Sequence, residues 1–246
     1  MSDLSFLAVA FFLPLFPFSI GFNALFAAIG HPLLRLVLLL GWPLTGVSLY
    51  QGLQPDVPQW VVPWALATGF FYGFRLLAMR EVGLWTGYLA TSIWACLWLP
   101  LLAGDGDVMF YALWFGVPLA ILALLVNGLE RRYGAAYTDL YGGLAQTIPR
   151  FSGIFVISVL AVTATPVFPA FLAMLKTVLV LPPVFALIFV GIWALWSWAG
   201  MRLIQGMVVG DAPEAFVEDV PMTVTVLFGA VMLALVVAGF SLTGDL

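Results

Sequence analysis

Long apolar runs separated by short polar punctuation set the pattern of this chain. Leu4 to Gly30 is the first run, interrupted by Pro14 and Pro17, and His31-Pro32 closes it. Leu33 to Tyr50, with Arg35 near its start, is the second. Gln51 to Pro58, holding Asp56, is a polar turn. Gln59 to Met79 follows, with Arg75 near its end, and Arg80-Glu81-Val82-Gly83 breaks it. Leu84 to Ala103 ends at the acidic turn Gly104-Asp105-Gly106-Asp107, and Val108 to Leu129 is the fifth run. A polar stretch from Glu130-Arg131-Arg132-Tyr133 to Arg150 precedes Phe151 to Phe168. Pro169 to Val209 has no polar loop. It is too long for one helix and tight for two, and Pro182-Pro183 must interrupt its helical hydrogen bonds, as a broken helix or as two helices with a minimal turn. Gly210 to Val220 is an acidic loop with Asp211, Glu214, Glu218 and Asp219, and Pro221 to Leu242 is the last run.

A helix crosses the hydrocarbon core with about 20 apolar residues. These runs fit that length, and they lack the period-two alternation of barrel strands. The expected fold is an all-α polytopic transmembrane bundle of about eight or nine spans, a single domain over residues 1–246 with no extramembrane domain. Composition agrees: 64% of the 246 residues are hydrophobic and only 8% are charged, against about 25% charged in soluble domains. Met1-Ser2-Asp3-Leu4 lacks the basic start of a cleaved signal peptide. Arginine near the first, third and fifth turns and aspartate near the second and fourth put the N-terminus outside the cytoplasm by the positive-inside rule.

Charge and cysteine exclude several functions. The net charge of −4 argues against nucleic acid. One His and the single Cys96 cannot make a haem pair, an iron–sulfur centre or a disulfide within the chain. No phosphate-binding glycine loop ending in Lys-Ser/Thr is present. Catalytic, metal-binding and cofactor residues are therefore expected to be absent, and ten Trp fit interfacial belts and helix packing.

Ionisable residues within spans are the functional candidates. Lys176, shortly before Pro182-Pro183, has two readings. One is proton exchange or ion binding beside a helix break, where carbonyls and dipole ends are freed. The other, favoured here, is a lysine that snorkels to an interface or pairs with an acid. Arg75, Glu81 and Arg202 complete the ion-path candidates, with a boundary anchor as the plainer role. His31 reads as a surface residue at a turn, and Cys96 as a buried apolar one.

Leu140-Tyr-Gly-Gly-Leu144, Ile148-Pro149, Ser152-Gly-Ile-Phe-Val156 and Thr163-Ala-Thr-Pro166 resemble a stretch of the antiporter-like membrane subunits. Those are shared by respiratory complex I, Mrp-type cation/proton antiporters, membrane-bound hydrogenases and bacterial inorganic-carbon uptake complexes. Gly69-Phe-Phe-Tyr-Gly73, Leu124 to Arg132 and Ala199-Gly-Met-Arg-Leu203 continue the likeness. It is carried by residues 69–242 and is weak over 1–68, so the chain resembles the C-terminal part of a subunit about twice as long. The departures are specific. The family's Asp-Ile-Lys-Arg reads Glu81-Val82-Gly83-Leu84, so its lysine is Gly83. Its His-x-x-x-Lys falls near Gly116 and Ala120. Its broken-helix Gly-Phe-x-Gly-Glu reads Ala170-Phe171-Leu172-Ala173-Met174, and its upstream lysine helix aligns with Leu39-Leu-Gly-Trp-Pro43, which has no Lys.

The resemblance implies a non-redox membrane subunit of a proton- or cation-coupled multisubunit complex in the bacterial inner membrane. Its partners would be a full-length antiporter-like subunit or a peripheral catalytic subunit, and its role structural, since the channel Lys, Glu and His are missing. The alternative is an autonomous proton-coupled secondary transporter using Lys176. An intramembrane enzyme lacks a His or carboxylate pair within the spans.

Overall fold

In a computed structural model, residues 2–138, 140, 142–210 and 218–242 are described. Asp211 and Glu214 of the acidic loop, and Tyr141 of the glycine motif, lie outside them. The described residues form twelve helices: α1 (Ser2–Phe12), α2 (Phe18–Ala28), α3 (Pro32–Leu53), α4 (Val61–Leu76), α5 (Val82–Cys96), α6 (Trp98–Leu102), α7 (Val108–Tyr133), α8 (Leu144–Thr147), α9 (Pro149–Val162), α10 (Pro169–Val180), α11 (Pro183–Val208) and α12 (Met222–Leu242). Proline opens α3, α9, α10 and α11, where its missing N–H has no intrahelical partner to lose. Gln54 and Gly134 close α3 and α7 in the left-handed conformation.

The runs correspond to passes in a way their lengths do not reveal. Leu4 to Gly30 is not one continuous helix: the chain breaks between Phe12 and Phe18, where two prolines cannot donate. Together α1 and α2 make one broken pass antiparallel to α3. Gly46 lies against Leu13 and Phe12, and Arg35 donates to the Ile29 carbonyl. A second broken pass, α9 and α10, is interrupted between Val162 and Pro169 and runs antiparallel to α7. Gly128 is close to Phe151 at one end, and Lys176 reaches Asp107 at the other. At Pro182-Pro183 the second alternative holds: two helices, α10 and α11, meet through a minimal turn. Trp193 of α11 then passes back beside Thr163.

Pairing the half-helices gives eight passes among the described helices: α1–α2, α3, α4, α5–α6, α7, α9–α10, α11 and α12. Five stretches are long and apolar enough to cross a membrane as continuous helices: α3, the joined α5–α6, α7, α11 and α12. The two broken passes traverse the bundle in opposite directions, each followed by a long helix, which is the arrangement of an inverted repeat. The α5–α6 pass is the core, with 89% of its apolar window buried, whereas the window of α12 is only 11% buried. Charges segregate by end. All seven arginines lie at the end that holds Glu81 and Glu130. Asp56, Asp105, Asp107 and Lys176 lie at the other.

Candidate functional site

A helix that stops inside a membrane leaves carbonyls without donors, and hydrocarbon cannot hydrate them. This chain supplies indoles. At the first break Trp98 Nε1 donates to the Leu13 carbonyl at 3.0 Å, Trp64 Nε1 to Phe16 at 2.7 Å and Trp42 Nε1 to Phe11 at 3.2 Å. Thr68 Oγ1 accepts from the Phe16 N–H. At the second break Trp193 Nε1 donates to the Thr163 carbonyl at 3.0 Å, and Thr165 Oγ1 to Leu160. Trp42 and Trp193 occupy matching positions, each ten residues after the proline that opens its helix. An indole N–H does not titrate in water's range and donates only, so these five carbonyls at the two breaks are satisfied by neutral groups.

Between the breaks runs a buried seam of neutral polar side chains. Tyr72 Oη donates to Ser19 Oγ at 3.0 Å, and Asn23 Nδ2 to both the Ser19 carbonyl and Thr91 Oγ1. Ser92 Oγ donates to the Gly69 carbonyl at 2.6 Å and accepts from Trp196 Nε1 at 2.8 Å. Gly69 and Gly73 make this possible. Spaced four apart on α4, they let α5 and α11 approach the helix backbone, the small-xxx-small packing of membrane helices. A Cβ at Gly69 would meet Cys96 Sγ at 2.6 Å. The seam was not anticipated from charge, although Ser19, Asn23, Thr91 and Ser92 inside apolar runs were its visible signal.

The positions that the resemblance assigns to titratable residues are filled. Pro43 in α3 deprives the Leu39 carbonyl of its helical donor, and Gly116 of α7 packs there. A Cβ at Gly116 would lie 3.4 Å from that carbonyl oxygen and 3.1 Å from Leu40 Cδ2. Ala120 is 4% exposed and Met174 2%. Beside Met174 the residual void is about 10 Å³, at or below what one water needs. At Gly83 a Cβ would face Glu81 Oε1 at 3.4 Å and Arg35 Nη1 at 3.7 Å.

The four ion-path candidates are scattered. Lys176 Nζ lies 3.4 Å from Asp107 Oδ2, and the two side chains are 24% and 43% exposed, at the acidic end. Arg75 stacks over Tyr88, 4.7 Å from the ring centroid, in the last turn of α4. Arg202 donates to the Leu77 carbonyl at 3.0 Å. Glu81 precedes α5 and bridges by its backbone to Tyr137. The candidates missed a different pair: Arg35, whose side chain is 11% exposed, lies 4.0 Å from Glu130. Only folding brings α3 and α7 together, so sequence spacing could not show it. Cys96 is buried as expected. No group of three or more His, Cys, Asp or Glu gathers in metal-binding positions among the described residues.

Broken passes, their opposite directions and the long helices that follow them together define the class of fold, an all-α polytopic membrane bundle. Comparison with solved structures gives particular neighbours. A chain of respiratory complex I from Thermus thermophilus superposes with a TM-score of 0.75 at 21% identity, covering 96% of this chain and 53% of that one. A chain of the Mrp complex from Dietzia sp. DQ12-45-1b gives 0.77 at 18% identity over 86% of this chain and 42% of that one. A chain of the membrane-bound sulfane sulfur reductase, an archaeal respiratory membrane complex, gives 0.77 at 17% over 95% and 52%. The protein thus spans about half the length of these neighbours, and at such identities the likeness is one of fold. No family model matches the chain, and no curated protein matches it in sequence.

Proposed function

We propose that the chain is a non-redox membrane subunit of a proton- or cation-coupled multisubunit complex and that it acts there as a structural part rather than a conductor. The observation that carries this reading is the Gly116–Leu39 contact. Two helices that would each supply a titratable group instead pack so closely that even a Cβ at Gly116 would lie 3.4 Å from the Leu39 carbonyl oxygen and 3.1 Å from Leu40 Cδ2. A proton path needs titratable groups and water a few ångströms apart. The seam from Tyr72 to Trp196 offers hydroxyls, an amide and an indole, and the breaks are capped by neutral donors. The fold, shared with membrane chains of respiratory and Mrp complexes, supports a place beside other membrane subunits. Its partners there would be a full-length antiporter-like chain or a peripheral catalytic subunit. The setting is the bacterial inner membrane, with the arginine-bearing end in the cytoplasm.

Gentle solubilisation from the native membrane tests the reading. Co-purification with other membrane subunits is expected, and a monodisperse monomer would overturn it. In liposomes loaded with a pH-sensitive dye, the purified chain is expected to pass no protons. Flux abolished by Lys176→Ala would instead establish an autonomous transporter.

A further inference from the structure

A cavity of about 580 Å³ opens at the arginine-bearing end, between the α4–α5 turn and the last turns of α11. That volume lies within the range of about 300–1,000 Å³ typical of small-ligand sites. Its polar wall carries Arg80 from the turn, and Arg202 and Gln205 from α11. Leu76, Trp85 and Leu203 border it as well, all three buried. Arg202 is held in place by one N–H, donated to the Leu77 carbonyl. A guanidinium has five such donors in a planar fork, which suits the oxygens of a phosphate.

We propose that this cavity binds the phosphate headgroup of an anionic phospholipid. Two observations point to a lipid rather than a free anion. The cavity lies at helix ends, on the end that carries every arginine. The two helices that border it, α4 and α11, also expose Phe70, Phe74, Trp198 and Met201, apolar surface that acyl chains could cover and a bare phosphate would not need. Basic pockets between membrane helices on the cytoplasmic side recognise anionic headgroups by the same chemistry. The inference does not depend on whether the chain conducts protons.

The test uses the full chain in nanodiscs of phosphatidylcholine with a minor share of phosphatidylglycerol. After transfer to detergent, native mass spectrometry counts the retained lipid. Wild type is expected to hold one phosphatidylglycerol in preference to phosphatidylcholine. Arg202→Gln should weaken retention about tenfold, whereas Arg131→Gln, the same charge change outside the cavity, should leave it unchanged. Arg202→Lys keeps the charge and should recover part of the retention. Equal loss in Arg202→Lys and Arg202→Gln would trace the effect to the Leu77 contact and overturn the proposal. Equal retention of phosphatidylcholine, or equal loss in Arg131→Gln, would overturn it too. Full displacement by inorganic phosphate would make the site one for a free anion. Lipid bound only after a partner subunit is stripped away would assign the cavity to that partner.

Discussion

Gly69→Ala adds one methyl group at the closest approach of α4, α5 and α11. The new Cβ would sit 2.6 Å from Cys96 Sγ, 3.4 Å from Ile192 Cδ1 and 3.5 Å from the Ser92 carbonyl. Carbon contacts relax near 3.5–4.0 Å, so the first of these must open by about 1 Å. Alanine gains about 1 kcal/mol of helix propensity over glycine. Overpacking a core costs about 1–3 kcal/mol. Moving the helices apart also lengthens the 2.6 Å bond from Ser92 to the Gly69 carbonyl, which in turn holds Trp196. The net expectation is a loss of about 1–2 kcal/mol, read as a fall of about 2–8 °C in Tm for a chain of this size. Thermal unfolding in detergent, followed by tryptophan fluorescence, measures it. Cys96→Ala alone should cost about 1 kcal/mol for the void it leaves. In the double variant the methyl introduced at position 69 would take up the volume of the lost sulfur, so the two losses should fall short of additivity by about 1 kcal/mol or more. Strict additivity, or a Gly69→Ala protein as stable as wild type, would refute the packing argument.

Ser92→Ala leaves Trp196 Nε1 without its acceptor, removes the second hydrogen bond to the Gly69 carbonyl, and should destabilise by about 1–2 kcal/mol in the same assay. Trp193→Phe removes the indole donor from the second break; hydrogen exchange should rise around Thr163 and Thr165, with a loss of about 1 kcal/mol. Asp219 accepts from the N–H groups of Arg150 and Phe151 and so caps α9 from a distant loop. Asp219→Ala should cost about 1 kcal/mol, and Asp219→Asn much less, both read as Tm. Lys176→Ala breaks a half-exposed pair with Asp107 and should shift stability by less than about 1 kcal/mol, an effect that shrinks further in high salt.

The apolar runs determined by themselves that this chain is an all-α membrane bundle, because a helix is the way to satisfy backbone groups in hydrocarbon and only length and hydropathy decide whether it spans. Proline marked where helices begin and stop, since its missing N–H acts locally: Pro32, Pro149, Pro169 and Pro183 each open a helix. Tertiary structure decided which halves belong to one pass. The run from Pro149 to Val180 is apolar on both sides of its interruption, so hydropathy cannot tell a broken pass from two short helices; the contacts with α7 do. The same holds for the site. Lys176 was legible as a lone cation, but its partner Asp107 lies 69 residues earlier. Arg35 and Glu130 meet only because α3 and α7 pack. The seam was hidden for another reason: a Ser or Thr in a membrane helix often bonds its own preceding turn, as Thr86 and Ser158 do here. Residue type therefore leaves open whether a hydroxyl points along its helix or, like that of Ser92, across to another, and only the approach of α5 to Gly69 settles the direction.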